Sequence, residues 1–194
     1  MTLTGPLLLF NPWFVGAEQD RHHVAARLGV DDRSVDRITG SLLHDLFLGG
    51  DFRVAFDTGE PILDASERSH MADVGALVRT LAVVDLLALA TAAVTWRALR
   101  REPGRRAALV LASGVGVAVV AVGIGLVAAV AFDAFFLAFH RLFFREGTFL
   151  FGPQSNLLRL FPGDFWFEAS LAAGLAVALP AVALAMIGRY TRGA

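Results

Sequence analysis

The chain of 194 residues is 56% hydrophobic and 18% charged, with a net charge of −1 and no cysteine; its mean hydropathy is +0.60. An apolar share above that of ordinary soluble domains makes lipid part of the solvent, and there is room for one compact unit rather than two. Disulfides, zinc–thiolate sites and cysteine nucleophiles are excluded, while the near-neutral charge carries no argument about nucleic acid.

Residues 1–15 are apolar but too short to cross a bilayer, contain Pro6 and Pro12, and lack the basic start of a signal peptide. Residues 1–16 read as the outer end of a first membrane helix whose beginning is missing from this chain. An interfacial segment anchored by Trp13 and Phe14 is the alternative. Residues 17–68 read as a small α+β element. Asp31 or Asp32 can cap a helix on which Val35, Ile38, Leu42 and Leu46 form one apolar face, ended by Gly49 and Gly50. Phe52, Val54 and Phe56 then alternate with polar or small residues, and Asp57, Thr58 and Gly59 offer a turn before Ile62 and Leu63, which predicts a β-hairpin. Asp64 and Glu67 have the spacing of a capping box, so a long helix begins near Ala65.

Residues 69–98 form a membrane helix that carries Arg79 and Asp85, residues 107–133 one free of charge up to Asp133, and residues 167–188 a third broken only by Glu168 at its outer end and by Pro180. The loop between the first two, at 99–106, belongs to the run RALRREPGRR, with five arginines against one glutamate. A short loop so basic is cytoplasmic. The first and third of these helices then run inward and the second outward. The tail at 189–194, with Arg189 and Arg192, lies inside, and the segments 17–68 and 134–166 lie outside. Gly114, Gly116, Gly123 and Gly125 give the middle helix a surface for close packing.

The arginine loop also serves as a ruler. His70 lies about 27 residues before Arg97, roughly 40 Å of helix, and Asp133 about as far beyond Arg106. With His140 two turns further if the helix continues, both histidines reach the outer membrane surface and can converge there. Glu67, His70 and Asp73 follow at three-residue spacing on one helix face. A metal site from His70, Glu67, Asp73 and His140 is conceivable, but such spacing also describes a solvated face, and no metal is expected. His22, His23 and His44 fall in the polar outer segment and carry less weight. Beyond His140 the chain is crowded with aromatics. They form either an interfacial belt or a wall for an acyl chain, and Arg141, Arg145 and Arg159 can meet phosphate or acidic neighbours.

These motifs resemble the lipoprotein intramolecular transacylase (Lit) family and its uncharacterised bacterial membrane relatives. The resemblance lies in NPWF near the start, ERSHMADV at 67–74, FHRLFF at 139–144 and LLRLFPGDFW from Leu157. It covers most of the chain in order, and the two histidine motifs together are its specific part. The chain departs from the pattern at Phe149, Gly152 and Asn156, where relatives tend to have acidic residues and a tryptophan.

The resemblance implies an α-helical polytopic membrane protein, a four-helix bundle with its first helix truncated here, plus a small α+β extracytoplasmic subdomain. It implies transfer of the sn-2 acyl chain of a diacylglyceryl-modified N-terminal cysteine to that cysteine's own amino group, with His70 and His140 as the catalytic pair. Glu67, Asp73 and Asp133 would then support or orient them, and Arg141, Arg145, Phe139 and Phe144 would meet the substrate. The partners implied are a diacylglyceryl-modified lipoprotein N-terminus and membrane lipid in the cell membrane, with no cofactor and no nucleic acid. The rival from the spans alone is a non-enzymatic membrane protein that binds lipid or a partner helix.

Overall fold

The computed structural model describes residue 7 and residues 9–193. Residues 1–6 and 8, part of the expected end of a first spanning helix, lie outside the described residues, as does Ala194. In chain order the helices are α1 (Pro12–Arg21), α2 (Val24–Leu28), α3 (Asp32–Leu48), α4 (Ala65–Ala98), α5 (Pro103–Val130), α6 (Phe132–Phe143), α7 (Asn156–Leu160) and α8 (Gly163–Gly193). Contacts group Leu9–Thr80 with Ala131–Ala169 in one unit, and Leu81–Val130 with the chain from Ser170 onward in another.

The first unit has a core of its own. Asp31 accepts the Ser34 N–H at 2.8 Å and caps α3, whose Val35, Ile38, Leu42 and Leu46 are buried with Phe52, Ile62, Leu63 and Leu160. Each such side chain contributes about 1.5–3 kcal/mol of burial. A polar chain crosses this core: the Thr39 hydroxyl donates to Gln19 Oε1 at 2.9 Å, and Gln19 Nε2 donates to the Leu160 carbonyl at 3.2 Å. It links α3, α1 and the C-terminal residue of α7 without leaving a buried amide unpaired. Arg79 donates to the Leu46 carbonyl at 3.0 Å, satisfying a backbone oxygen at the C-terminal end of α3.

Two expectations are corrected here. The predicted β-hairpin reduces to one antiparallel bridge, Ala55 with Pro61, and the described residues contain no strand. Phe56 donates to the Glu60 carbonyl and Ile62 to that of Val54, both at 2.9 Å. Pairing stops there because Pro61 has no N–H and because Phe52 turns away at φ 55, its N–H held by the Asp45 carboxylate at 3.0 Å. The segment 17–68 is therefore helical with a turn, not α+β. The second correction concerns the helix through Asp133. It does not continue from α5, because Ala131, at φ −139 and ψ 51, breaks the chain and α6 starts afresh at Phe132.

Among the described residues three helices are long and apolar enough to cross a membrane: Ala65–Arg101, Pro103–Val130 and Gly163–Arg192. In the second unit Leu86, Val94, Val119, Leu126 and Leu179 lie exposed along them, as lipid-facing side chains do. The turn between α4 and α5 is closed by Arg106, which donates to the Trp96 carbonyl and lies 4.3 Å over the Trp96 ring. Contact between α5 and α8 is close at two glycines. A Cβ on Gly114 would fall 2.6 Å from Ala185 N and 2.8 Å from the Ala181 carbonyl, and one on Gly188 2.5 Å from Leu111 N. Gly116, Gly123 and Gly125 face open space, so one glycine of the four expected to pack does so. Gly114→Leu is expected to destabilise the protein by about 1–3 kcal/mol through overpacking, whereas Gly123→Ala leaves thermal unfolding in detergent unchanged or raised.

Candidate active site

The site is built within the first unit, from the first turns of α4, from α6 and from the aromatic segment that follows it. Helix α4 starts with a reciprocal cap: Asp64 accepts the Glu67 N–H at 2.8 Å and Glu67 accepts the Asp64 N–H at 2.8 Å. One turn on, His70 is buried, facing inward beside Met71. Its ring lies 5.9 Å from that of His140, centroid to centroid, with the planes only 25° apart.

Phenylalanines enclose the pair. Phe144 and Phe151 lie 4.9 Å and 5.5 Å from His70; Phe136, Phe149 and Phe144 lie 4.2, 5.2 and 5.5 Å from His140. Helix geometry accounts for part of this: Phe136, Phe139 and His140 recur at the spacing that puts side chains on one face of α6.

The two rings differ in how their nitrogens are held. His140 Nδ1 lies 2.8 Å from the Phe136 carbonyl. A carbonyl can only accept, so Nδ1 carries the proton and Nε2 is left with its lone pair free. Burial holds the His140 pKa below the usual histidine value, opposed by that carbonyl, and the ring is neutral at pH 7. His70 Nδ1 is buried and has no hydrogen-bond partner among the described residues.

The other expected residues are placed as follows. Glu67 does not orient His70. Its buried carboxylate instead accepts the Leu157 N–H at 3.1 Å and the Ser155 hydroxyl. Asn156 adds a bond from Nδ2 to the Ile62 carbonyl at 2.9 Å, so the turn before α7 is fastened to the start of α4. Asp73 is exposed and lines an open groove of about 560 Å³ together with Ser69, Thr80, Phe144, Arg145 and Thr148. Arg145 thus lines the groove, which shares Phe144 with the wall around His70. Arg141 does not line it, and lies 3.6 Å from Glu146. Phe139 packs 5.6 Å from His140 and is partly exposed. Asp133 is exposed in the first turn of α6, about two turns from His140, where a carboxylate suits the helix dipole. Sequence reasoning missed Phe136, Phe149, Phe151 and Ser155 as site residues. The i−4 spacing of Phe136 to His140 was the available signal, whereas the others depend on chain folding after Phe144.

A family model described as lipoprotein intramolecular transacylase Lit matches residues 2–166. No curated protein matches the chain by sequence. Among solved structures, the in meso structure of the membrane integral lipoprotein intramolecular transacylase Lit from Bacillus cereus superposes with a TM-score of 0.85 at 18% identity, covering 98% of this chain and 87% of that one. A variant of the same protein with one histidine replaced by arginine gives 0.78 at 17% identity, covering 98% and 84%. At this identity the likeness is one of fold.

Removing the Glu67 carboxylate strands buried donors, at about 1–3 kcal/mol for each group left unsatisfied. Glu67→Ala is therefore expected to lower the detergent unfolding temperature by about 5–10 °C, whereas Asp133→Ala shifts it by less than about 2 °C, as exposed substitutions do.

Proposed function

The chain belongs to the lipoprotein intramolecular transacylase Lit family, and from that membership we propose that it is a membrane acyltransferase working through His70 and His140. The substrate is a bacterial lipoprotein whose N-terminal cysteine carries a diacylglyceryl group. The product has the sn-2 acyl chain moved to the cysteine α-amino group. The observation that carries the reading is the stacked histidine pair, with one nitrogen aimed by a backbone carbonyl and another buried without a partner.

The chemistry follows from the nitrogens. An N-terminal ammonium, with a pKa of about 7.7–8.0, must lose a proton before it can attack an ester. His140 Nε2, the lone-pair nitrogen, takes that proton. The amine attacks the ester carbonyl, a C–N bond forms, and negative charge gathers on the carbonyl oxygen. As the intermediate collapses the C–O bond to the glyceryl sn-2 oxygen breaks, the proton held on His140 passes to that oxygen, and the new amide nitrogen gives up its second proton to the freed Nε2 and from there to solvent. His70 assists by donating a hydrogen bond to the oxyanion or to the departing oxygen. Nucleophile and ester belong to one molecule, so the attack is unimolecular and no covalent enzyme intermediate is needed.

The phenylalanine enclosure suits an acyl chain and keeps competing water from the ester. The groove with Asp73, Arg145, Ser69 and Thr148 suits the polar part of the substrate. The basic turn at residues 97–106 supports an extracytoplasmic site in the cell membrane, the face on which lipoproteins mature, since that turn stays inside.

The test is mass spectrometry of the N-terminal peptide of a bacterial lipoprotein co-expressed with this protein. An amide-linked acyl chain with a monoacylglyceryl cysteine is expected; an unchanged diacylglyceryl cysteine overturns the reading. His140→Ala and His70→Ala are each expected to lower the rate by about 10²–10⁴. The pH profile carries a sign as well. Because the His140 pKa lies below its ordinary value, the base stays neutral as pH falls through about 6.5, so its acid limb lies below that pH. A limb above it assigns the base elsewhere.

A further inference from the structure

Away from the histidine pair, α1 and the start of α8 bring together a second set of groups. Glu18 lies on α1 and His22, four residues on, caps its C-terminal end, while Glu168 comes from α8. One ligand atom from each lies within 4.8 Å of the other two. His22 Nε2 is 3.9 Å from Glu18 Oε2 and 3.7 Å from Glu168 Oε1.

Arg21 sorts the carboxylate oxygens. Its guanidinium takes Glu168 Oε2 at 2.6 Å and reaches Glu18 Oε1 at 3.5 Å. The other oxygen of each carboxylate is the one turned to His22. Glu18 is only 6% exposed, and both Glu18 Oε2 and His22 Nε2 are buried without a hydrogen-bond partner. Buried polar atoms are normally satisfied.

We propose that Glu18, His22 and Glu168 form a binding site for one divalent transition-metal ion of the zinc class. Two carboxylate oxygens and one imidazole nitrogen, with a water in the fourth position, suit such an ion. A helical i, i+4 pair presents two ligands on one face, the third closing the triangle from another helix. Ligand atoms of a tetrahedral zinc site stand about 3.3 Å apart for bonds of about 2.0–2.1 Å, so side-chain shifts of under about 1.5 Å complete the geometry. Arg21 on the outer oxygens orients both carboxylates, as groups around a metal site commonly do.

Bound metal would clamp α1 to the first turns of α8, next to the Gln19 bond to Leu160. The site takes no part in the acyl-transfer chemistry and stands whether or not that reading does. The expectation of no metal came from the Glu67, His70 and Asp73 face and did not weigh these residues together.

The test uses the full chain in detergent, freed of metal by chelation and dialysis, then titrated with Zn²⁺ alone by calorimetry, with metal content measured by mass spectrometry. About one zinc per chain is expected, bound at least about 100-fold more tightly than Mg²⁺, because an imidazole ligand favours zinc. Zinc raises the unfolding temperature of the wild type. Glu18→Gln, His22→Gln and Glu168→Gln each weaken binding at least about tenfold, whereas His44→Gln, an exposed histidine on α3, leaves it unchanged. A wild-type chain that takes up no stoichiometric zinc overturns the proposal, as does zinc retained undiminished by the three glutamine variants. The wild-type titration decides the matter even where a variant fails to fold.

Discussion

A buried carboxylate without hydrogen bonds is not tolerated, and Glu67 is where this chain meets that constraint. Its two oxygens take an N–H from Asp64, an N–H from Leu157 and the hydroxyl of Ser155. Bonds to an ionised acceptor are about twice as strong as neutral ones, and these three join places far apart in sequence. The second turn of α4 carries His70; the turn before α7 ends the segment that carries Phe144, Phe149 and Phe151. Fastening one to the other closes the aromatic wall over the histidines. Glu67 thus acts on the site through chain geometry, although spacing alone suggested direct contact with His70.

That difference marks how far the sequence reaches. Local rules read well: the Asp31 cap, the apolar face of α3 and the Asp64 and Glu67 box each follow from interactions within one turn. The spans read well too, because lipid imposes a minimum length of apolar residues that few other structures need. What failed depended on single backbone angles. Ala131 stops a helix that composition would continue, and Phe52 leaves the extended region to bury its ring, which ends the hairpin at one bridge. Neither residue type announces such a conformation.

The candidate site was legible as two histidines and a crowd of phenylalanines, not as an arrangement. Counting residues along straight helices brought His70 and Asp133 to similar depth. The route to His140 runs through the break at Ala131, which a count along one helix does not include. The pair meets within one unit because α4 and α6 pack there, around His70, His140 and Phe144. Glycine spacing was similarly suggestive without being specific. Gly114 touches α8 and its three companions do not, since only a position on the facing stripe of α5 feels the neighbouring backbone.

In the proposed mechanism, the direction of proton flow within the pair rests on one hydrogen bond. A neutral imidazole keeps one proton, and whichever nitrogen holds it cannot act as base. The Phe136 carbonyl fixes that proton on Nδ1 of His140, so Nε2 is the basic atom before any substrate arrives. The surrounding phenylalanines bury the ring and lower the His140 pKa, which favours the uncharged form that acts as base and costs some driving force for taking a proton. An amine whose own pKa lies near 8 needs only a modest base, provided it is held at the right place. His70, with Nδ1 buried and unpartnered, is then the ring free to respond to charge on oxygen, and the division of labour follows from a backbone carbonyl rather than from any difference between the two side chains.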